Sequence, residues 1–506
     1  EINVPGWPTI SNPRLLRDDK PVVWVKPNDY LNVHADILPG ALSTKREQGT
    51  VFARVIDSFG RQLAYASEVV GSQGGSVSLR MDIADIIAPL VQVEIFAVPS
   101  TMTDESTLVD QAAREVFYLP VRMPAAPLKP TIILSSGNRL DHGAYDQIEA
   151  FRDHVGAAVL HAPLTVDALL AAGRSGLQRL TQTDSEGTPT IEDGHIRVPC
   201  LSAAGYQDRL RDAVESNILQ AYAGGPPAYS LGARVALTDT DVNLCQSATC
   251  LDRFHTYLKG LYQQPAELNK TWGSTYAQWS DVLPSSLVEC REANTYLPWV
   301  AFRMSMSNVL TDSLVQARDE ARRLDPQAQV GFQPSIRPTS AQSGIQWDRI
   351  CATMDYVVVP YKSDAIRRLQ SFHNAHPWDG LVVDDSSFNS STLEATWFAW
   401  HCALERIPAL WFDEPFTNTT TGLLGPTGKP HPAFAAFCTT RRNLDQGLAT
   451  LLLHATPYRN GIAFLDNPED DLLQEGDPED DLANNKSESW YATVLNDLGY
   501  APSVHS

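Results

Sequence analysis

The sequence predicts an α/β fold, a (β/α)8 TIM barrel preceded by an N-terminal Ig-like antiparallel β-sandwich. Three observations carry this. Short strand-like segments separated by turn residues fill residues 20–121, three prolines fall within Pro124–Pro130, and beyond them apolar strands alternate with helical stretches. At 506 residues the chain exceeds one ordinary domain, and a barrel plus a sandwich of about 100 residues fills it. The expected units are a sandwich over 1–123, a stiff linker over 124–130 and a barrel over 131–506, with an acidic loop at 466–487.

In the first unit, strands are expected at Val22–Val25, Tyr30–Ala35, Val51–Ile56, Ser76–Met81, Val91–Val98 and Glu115–Val121. Turn signals such as Asp57-Ser-Phe-Gly60 and Gly71-Ser-Gln-Gly-Gly75 divide them. In the second unit, strands are expected at Thr131–Ser135, Ala157–His161, Leu177–Thr181, Ala228–Leu231, Gln329–Phe332, Tyr356–Pro360, Leu381–Asp384 and Pro408–Phe412, with a helix over Tyr145–His154. The clearest helix runs from Phe302 to Leu324, with apolar residues at 302, 306, 309, 310, 314, 317, 321 and 324, and Asp325-Pro326 stops it.

Acidic residues outnumber basic ones 60 to 39, and the resulting charge of -21 repels nucleic-acid phosphates and anionic membrane faces. Neither is an expected partner. No apolar run approaches the length of about 18 residues that a membrane span requires. The chain opens at Glu1 without a signal h-region, so it reads as a processed form of an extracellular or cell-surface protein. Seven Cys, at 200, 245, 250, 290, 351, 402 and 438, are too few for a disulfide scaffold, and buried free thiols are the ordinary reading for most of them. Cys245 and Cys250 are open to Zn²⁺, with a disulfide through Cys200 as the alternative. The His residues form no H-x-x-x-H or H-E-x-x-H pattern, and no phosphate-binding glycine loop occurs, so no cofactor and no metal is expected. Asn467-Pro-Glu-Asp-Asp-Leu472 recurs as Asp477-Pro-Glu-Asp-Asp-Leu482, an exposed acidic loop on its composition, with a Ca²⁺ site as the lesser reading.

One stretch is distinctive. Cys250-Leu-Asp-Arg-Phe254, Tyr257-Leu258, Tyr262, Leu268-Asn269, Trp272-Gly-Ser-Thr-Tyr276 and Trp279-Ser-Asp-Val-Leu-Pro284 resemble the segment after strand 4 in glycoside hydrolase family 42 β-galactosidases. Tyr229-Ser-Leu-Gly232 is similar to their strand 4, and Trp490–Tyr500 to the end of their barrel. The resemblance implies a barrel that cleaves β-galactosides with retention, using a Glu after strand 4 as acid/base and another after strand 7 as nucleophile. Such a pair needs carboxyl groups about 5 to 5.5 Å apart at the carboxyl-terminal mouth of the barrel.

Here the sequence departs from that pattern. Ala233-Arg234 stands where relatives carry Asp-Glu, and a guanidinium does not give up its proton at a workable pH. Asp384 and Asp385 stand where the second Glu is expected. Asp413 and Glu414, in Trp411-Phe-Asp-Glu-Pro415, are further acids at a strand end, while Asp239 and Asp241 are expected to be loop caps or partners of Arg234. The resulting candidate site has Asp385, Glu414 and Asp384 as catalytic groups, with Arg234, Trp411, Tyr361 and Asp413 binding substrate. Trp347, Trp378, Trp397 and Trp400 are further candidate pocket aromatics, set against core packing. The expected ligand is a galactoside, with Arg234 favouring an anionic or sulfated one, and hydrolysis is expected to be impaired. The alternative is a catalytically inactive glycan-binding or assembly protein of the surface-layer or filament kind, which predicts a homo-oligomer.

Overall fold

The computed structural model describes residues 9–39, 48–58, 60–83, 86, 90–99, 113–122, 131–135, 151, 153–155, 158–162, 178–182, 190–192, 196–222, 228–232, 235–237, 245–334, 343–360, 365–373, 379–383, 391–413, 423–425, 427–455, 462–465, 467–469, 472–473, 495 and 503–505. The first unit is two four-stranded antiparallel sheets. One has the order β2 (Lys20–Pro21), β1 (Thr9–Arg17), β3 (Asp29–Leu38), β6 (Gly75–Ile83); the other has the order β5 (Gln62–Val70), β4 (Gly49–Asp57), β7 (Leu90–Pro99), β8 (Ala113–Pro120). Alternation decides what is buried. Along β3, Leu31, Val33, Ala35 and Ile37 point into a core shared with Val51, Ala53 and Val55 of β4, so burying one face of each sheet covers the other.

Two strands of this unit are not evident from the sequence. β1 contains Pro13, and its register shifts between Ser11 and Arg14 with Asn12 at a positive φ of 49°, which masks the alternation. β5 lies at a sheet edge and is mostly exposed or half-buried, so it carries no clean apolar face. The strand expected at Val22–Val25 is instead the short β2, followed by a single bridge from Val25 to Val121.

The second unit closes on itself. Eight parallel strands, β9 (Thr131–Ser135), β10 (Ala158–Ala162), β11 (Gln178–Gln182), β14 (Tyr229–Ser230), β15 (Val330–Phe332), β16 (Tyr356–Pro360), β17 (Gly380–Val383) and β18 (Ala409–Asp413), form a barrel in which β18 pairs with β9. A hairpin of β12 (Thr190–Glu192) and β13 (Ile196–Val198) interrupts the series and leads into helix α1 (Ala204–Tyr222). Between β14 and β15 lie α2 (Ala248–Leu261), α3 (Pro265–Trp272), α4 (Leu287–Ala293) and the long α5 (Leu297–Leu324). Helices α6 (Trp347–Thr353), α7 (Ala365–Phe372) and α8 (Thr392–Leu404) follow β15, β16 and β17 in turn, and α9 (Pro432–Leu444) and α10 (Leu448–His454) follow β18. Among the described residues no helix is long and apolar enough to cross a membrane.

Two large rings fill part of the barrel interior. Tyr356 and Trp411 stack with centroids 5.9 Å apart, in a cluster with Ile133, Ala228, Val358 and Ala409. Glycines make room for them: a Cβ on Gly331 would meet the Tyr356 ring at 2.5 Å, and one on Gly380 would meet the Trp411 indole at 2.8 Å. One residue along β18, Phe412 points the other way and packs against Phe151, Phe434 and Phe437 beneath α9.

At the amino-terminal end of the barrel the two units meet through a buried ion pair. Arg122, just past β8, reaches Asp325 with Nη1 to Oδ1 at 2.9 Å and Nη2 to Oδ2 at 2.7 Å. Tyr229 donates to the same carboxylate at 2.9 Å, and the guanidinium lies 4.5 Å from the centre of the Trp24 ring. A second buried pair secures the floor: His373 Nδ1 lies 2.7 Å from Asp379 Oδ2, while Asp379 Oδ1 accepts from the Val357 amide at 2.8 Å. Burial alone would lower the His373 pKa, and the Asp379 carboxylate outweighs it and holds the pKa above the usual histidine value.

Two outcomes follow for stability. Arg122→Ala leaves Asp325 buried without its cation and lowers unfolding free energy by about 3 to 5 kcal/mol in urea titrations. A raised folded pKa means that the His373–Asp379 contribution is complete below the unfolded histidine pKa of about 6.5 and is lost as pH rises through the folded value. The urea midpoint therefore declines over that window, and His373→Gln flattens the decline.

Candidate functional site

Parallel pairing brings the carboxyl ends of all eight strands, from Ser135 on β9 to Asp413 on β18, to one rim. Two neighbouring exits lie side by side there. Val383, the last residue of β17, pairs with Phe412, one position before Asp413, and Asp413 pairs with Ser135 across the barrel seam. Adjacent strands run about 4.8 Å apart, so β17 and β18 end beside one another at the rim. The β14 exit is separated from β17 by two strands.

The β14 exit is irregular. Leu231 donates to the Gly331 carbonyl at 2.8 Å and Val235 donates to the Gln333 carbonyl at 3.0 Å. Four residue steps on one side thus match two on the other, whereas a regular parallel ladder matches step for step. The β14 side carries two surplus residues between Leu231 and Val235. Gly232 opens this bulge at a φ of 142°, a conformation that glycine adopts without strain.

Of the sequence-predicted site, Trp411 is buried against Tyr356 inside the barrel, and Asp413 ends β18. Arg234, Tyr361, Asp384, Asp385 and Glu414 lie outside the described residues, as do Asp239, Asp241 and Trp378. The other candidate aromatics are not at the rim. Trp347 is buried at the start of α6, and Trp397 and Trp400 are exposed on α8, outside the barrel wall. Of the acidic repeat, Leu472 is buried against Cys290, Trp299 and Val300, so the first copy is docked rather than wholly solvated.

The distinctive 250–284 stretch turns out to be scaffold. Phe254, Leu258 and Leu268 are fully buried, and Trp272 donates to the Tyr262 hydroxyl at 3.3 Å. Gly273 caps α3 in the left-handed conformation, after which Asn269 holds the following turn: its Oδ1 accepts from Ser274 at 2.8 Å and from the Tyr276 amide at 2.9 Å, and its Nδ2 donates to the Tyr276 carbonyl. These residues shape the excursion after β14 and supply no reacting group.

The sequence left Cys245 and Cys250 open to Zn²⁺ with a disulfide through Cys200 as the alternative, and the structure gathers all three as free thiols in one cluster. Cys200, Cys245 and Cys250 place their Sγ atoms within 4.8 Å of one another, with Cys200 and Cys250 3.5 Å apart and all three unoxidised. Hydrogen bonds from the Cys245 and Cys250 thiols drive the Cys200 pKa far below the ordinary thiol range, while the same partnership with Cys200, then with Cys245, drives Cys250 up. A tetrahedral Zn²⁺ with Zn–S bonds of about 2.3 Å separates sulfurs by about 3.8 Å, so the spacing fits. Two hydroxyls adjoin the cluster. Ser202 Oγ is buried with no hydrogen-bond partner, and Ser247 Oγ lies 3.2 Å from Cys200 Sγ. The donor set suits a thiophilic divalent cation, which Cys200, Cys245 and Cys250 would hold as thiolates, and the chemistry it would supply is structural. It would tie the end of the β12–β13 hairpin to the N-terminus of α2. If so, protein purified without chelator carries about one Zn²⁺ per chain by elemental analysis, and Cys250→Ser lowers that content and the melting temperature together.

Residues 181–359 match the Glyco_hydro_42 family, described as beta-galactosidase. Among solved structures, a β-galactosidase from Rahnella sp. R3 is similar at 11% identity and a TM-score of 0.57, covering 75% of this chain and 65% of that one. One from Bacillus circulans sp. alkalophilus is similar at 13% identity and a TM-score of 0.59, covering 74% of this chain and 65% of that one. One from the Antarctic haloarchaeon Halorubrum lacusprofundi is similar at 13% identity and a TM-score of 0.52, covering 74% and 66%. The chain thus spans about two thirds of the length of these enzymes, and identities this low speak for the fold. No curated protein matches the chain.

Proposed function

We propose that this chain, glycoside hydrolase family 42-like through its barrel, binds a β-galactoside at the carboxyl-terminal rim and hydrolyses it poorly or not at all. The observation that carries the reading is a departure in sequence: within the matched segment 181–359, Arg234 stands where relatives carry the acid/base Glu, in the stretch after β14. A permanently protonated guanidinium there cannot deliver a proton to the departing oxygen, and general acid catalysis is worth about 10² to 10⁴ in rate. Arg234 instead offers charge-assisted hydrogen bonds to a uronic acid or sulfated galactose.

On this reading Asp385, with Asp384 before it in sequence, is the nucleophile after β17, and Glu414, after β18, is the second acid. Tyr361 and Asp413 complete the substrate contacts, while Trp411, expected from the sequence to bind substrate, is packed against Tyr356 inside the barrel and supports the site from below. The family match ends at residue 359, before either carboxylate strand, so the acids are assigned from the sequence pattern. The two packed antiparallel sheets ahead of the barrel are read as an Ig-like module. The protein is placed outside the cell or at its surface, where polymeric galactosides are met. Arg234 also favours a second reading, an inactive barrel kept for glycan binding or assembly.

Kinetics on aryl and charged galactosides decide between them. Arg234→Glu is expected to raise kcat on a substrate with a poor leaving group by about 10² or more, and Asp385→Asn to abolish the activity gained. A wild-type chain with efficient turnover that Arg234→Ala leaves unchanged would sink the impaired-enzyme reading. Glycan binding without turnover in every variant selects the inactive barrel.

A further inference from the structure

The outer face of α8 is built unlike any other described helix surface in the barrel. Leu393, Trp397, Trp400 and Leu404 are 77%, 56%, 41% and 62% exposed, although each is a large apolar side chain. Their spacing is four, three and four residues, the seam of a helix made to pair with another helix. The rest of the helix is accounted for: Ala395, Phe398, Ala399, Cys402 and Ala403 face the barrel core. α10 packs beside α8 and adds Leu448 and Leu451, 40% and 67% exposed.

We propose that this face is a self-association surface on which α8 pairs antiparallel with α8 of a second copy of the chain. Two observations commit the occupant. The first is area: six apolar side chains at these exposures present roughly 700 Å², more than the about 300 to 600 Å² of an ordinary monomer's largest patch and close to the about 800 Å² that each partner gives to a standard interface. The second is symmetry. A four-three-four spacing reads the same in both directions, so a twofold axis between Trp397 and Trp400 sets Leu393 against the partner subunit's Leu404 and Trp397 against the partner subunit's Trp400. An isologous contact requires such self-complementarity. A sugar is a poorer fit, since the terminal leucines offer a hydroxyl no hydrogen bond. The antiparallel arrangement also opposes the two helix dipoles.

Net charge of -21 on each copy opposes the encounter, so pairing strengthens as salt screens that repulsion. This surface lies on the barrel's outer wall and does not depend on the sugar reading.

Sedimentation equilibrium of the whole chain tests the proposal. The expected result is a dimer at micromolar concentration, tighter in 0.5 M than in about 0.05 M NaCl, and at least tenfold weaker in Trp397→Glu with unchanged circular dichroism. A Leu393→Cys/Leu404→Cys double variant should form a covalent dimer on mild oxidation, whereas either single variant should not, because only the antiparallel register brings those positions together. A chain that stays monomeric under all these conditions overturns the proposal. So does an association that Trp397→Glu leaves unchanged, or cross-linking by Leu393→Cys alone.

Discussion

The contact between Arg122 and Asp325 is the constraint on which the arrangement of this molecule rests. Both groups are buried, and removing two charges from water costs several kcal/mol per ion unless geometry and further hydrogen bonds offset it. Here they do: the pairing is bidentate, Tyr229 and the Gln327 amide satisfy the carboxylate, and Trp24 covers the guanidinium. Burial, then the Asp325 carboxylate, raises the Tyr229 pKa, so its hydroxyl stays protonated as a donor. The pair joins three parts of the chain: the exit of the sandwich, the end of α5 and the first residue of β14. The same strand that is anchored at the floor by Tyr229 loses its regular register at the rim, past Gly232.

That division between floor and rim runs through the whole barrel. Below, the interior is closed by Tyr356 and Trp411, and two glycines on the adjacent strands β15 and β17 make space for them. The Tyr356 hydroxyl donates to the Tyr229 carbonyl at 2.8 Å, tying this layer to the ion pair beneath. Chemistry is left to the loops above, where strand ends rather than packing position the side chains. A barrel constructed this way keeps its shape while rim residues change.

The family resemblance is carried mostly by scaffold. Leu268, Asn269, Trp272 and Gly273 hold one turn after α3, and Cys250 belongs to a thiol cluster that fastens the start of α2. Such residues are constrained by several contacts at once, so they keep their identity when a reacting group does not. A sequence can therefore resemble an enzyme strongly where it folds and depart from it where the enzyme reacts.

The amino-acid sequence by itself determined the eight barrel strands to within one residue and the course of α5, because apolar periodicity and proline placement are local properties. It did not reveal β1 and β5, whose alternation is broken by a bulge and by edge exposure. Only the tertiary structure brought Cys200 to Cys245 and Cys250, joined Arg122 to Asp325 across 203 residues, and set Trp397 and Trp400 outside the wall while Trp411 went inside. The physical reason is that a spacing along the chain fixes which face a side chain shares with its near neighbours, while its distance to a group far off in sequence is fixed only when the barrel closes.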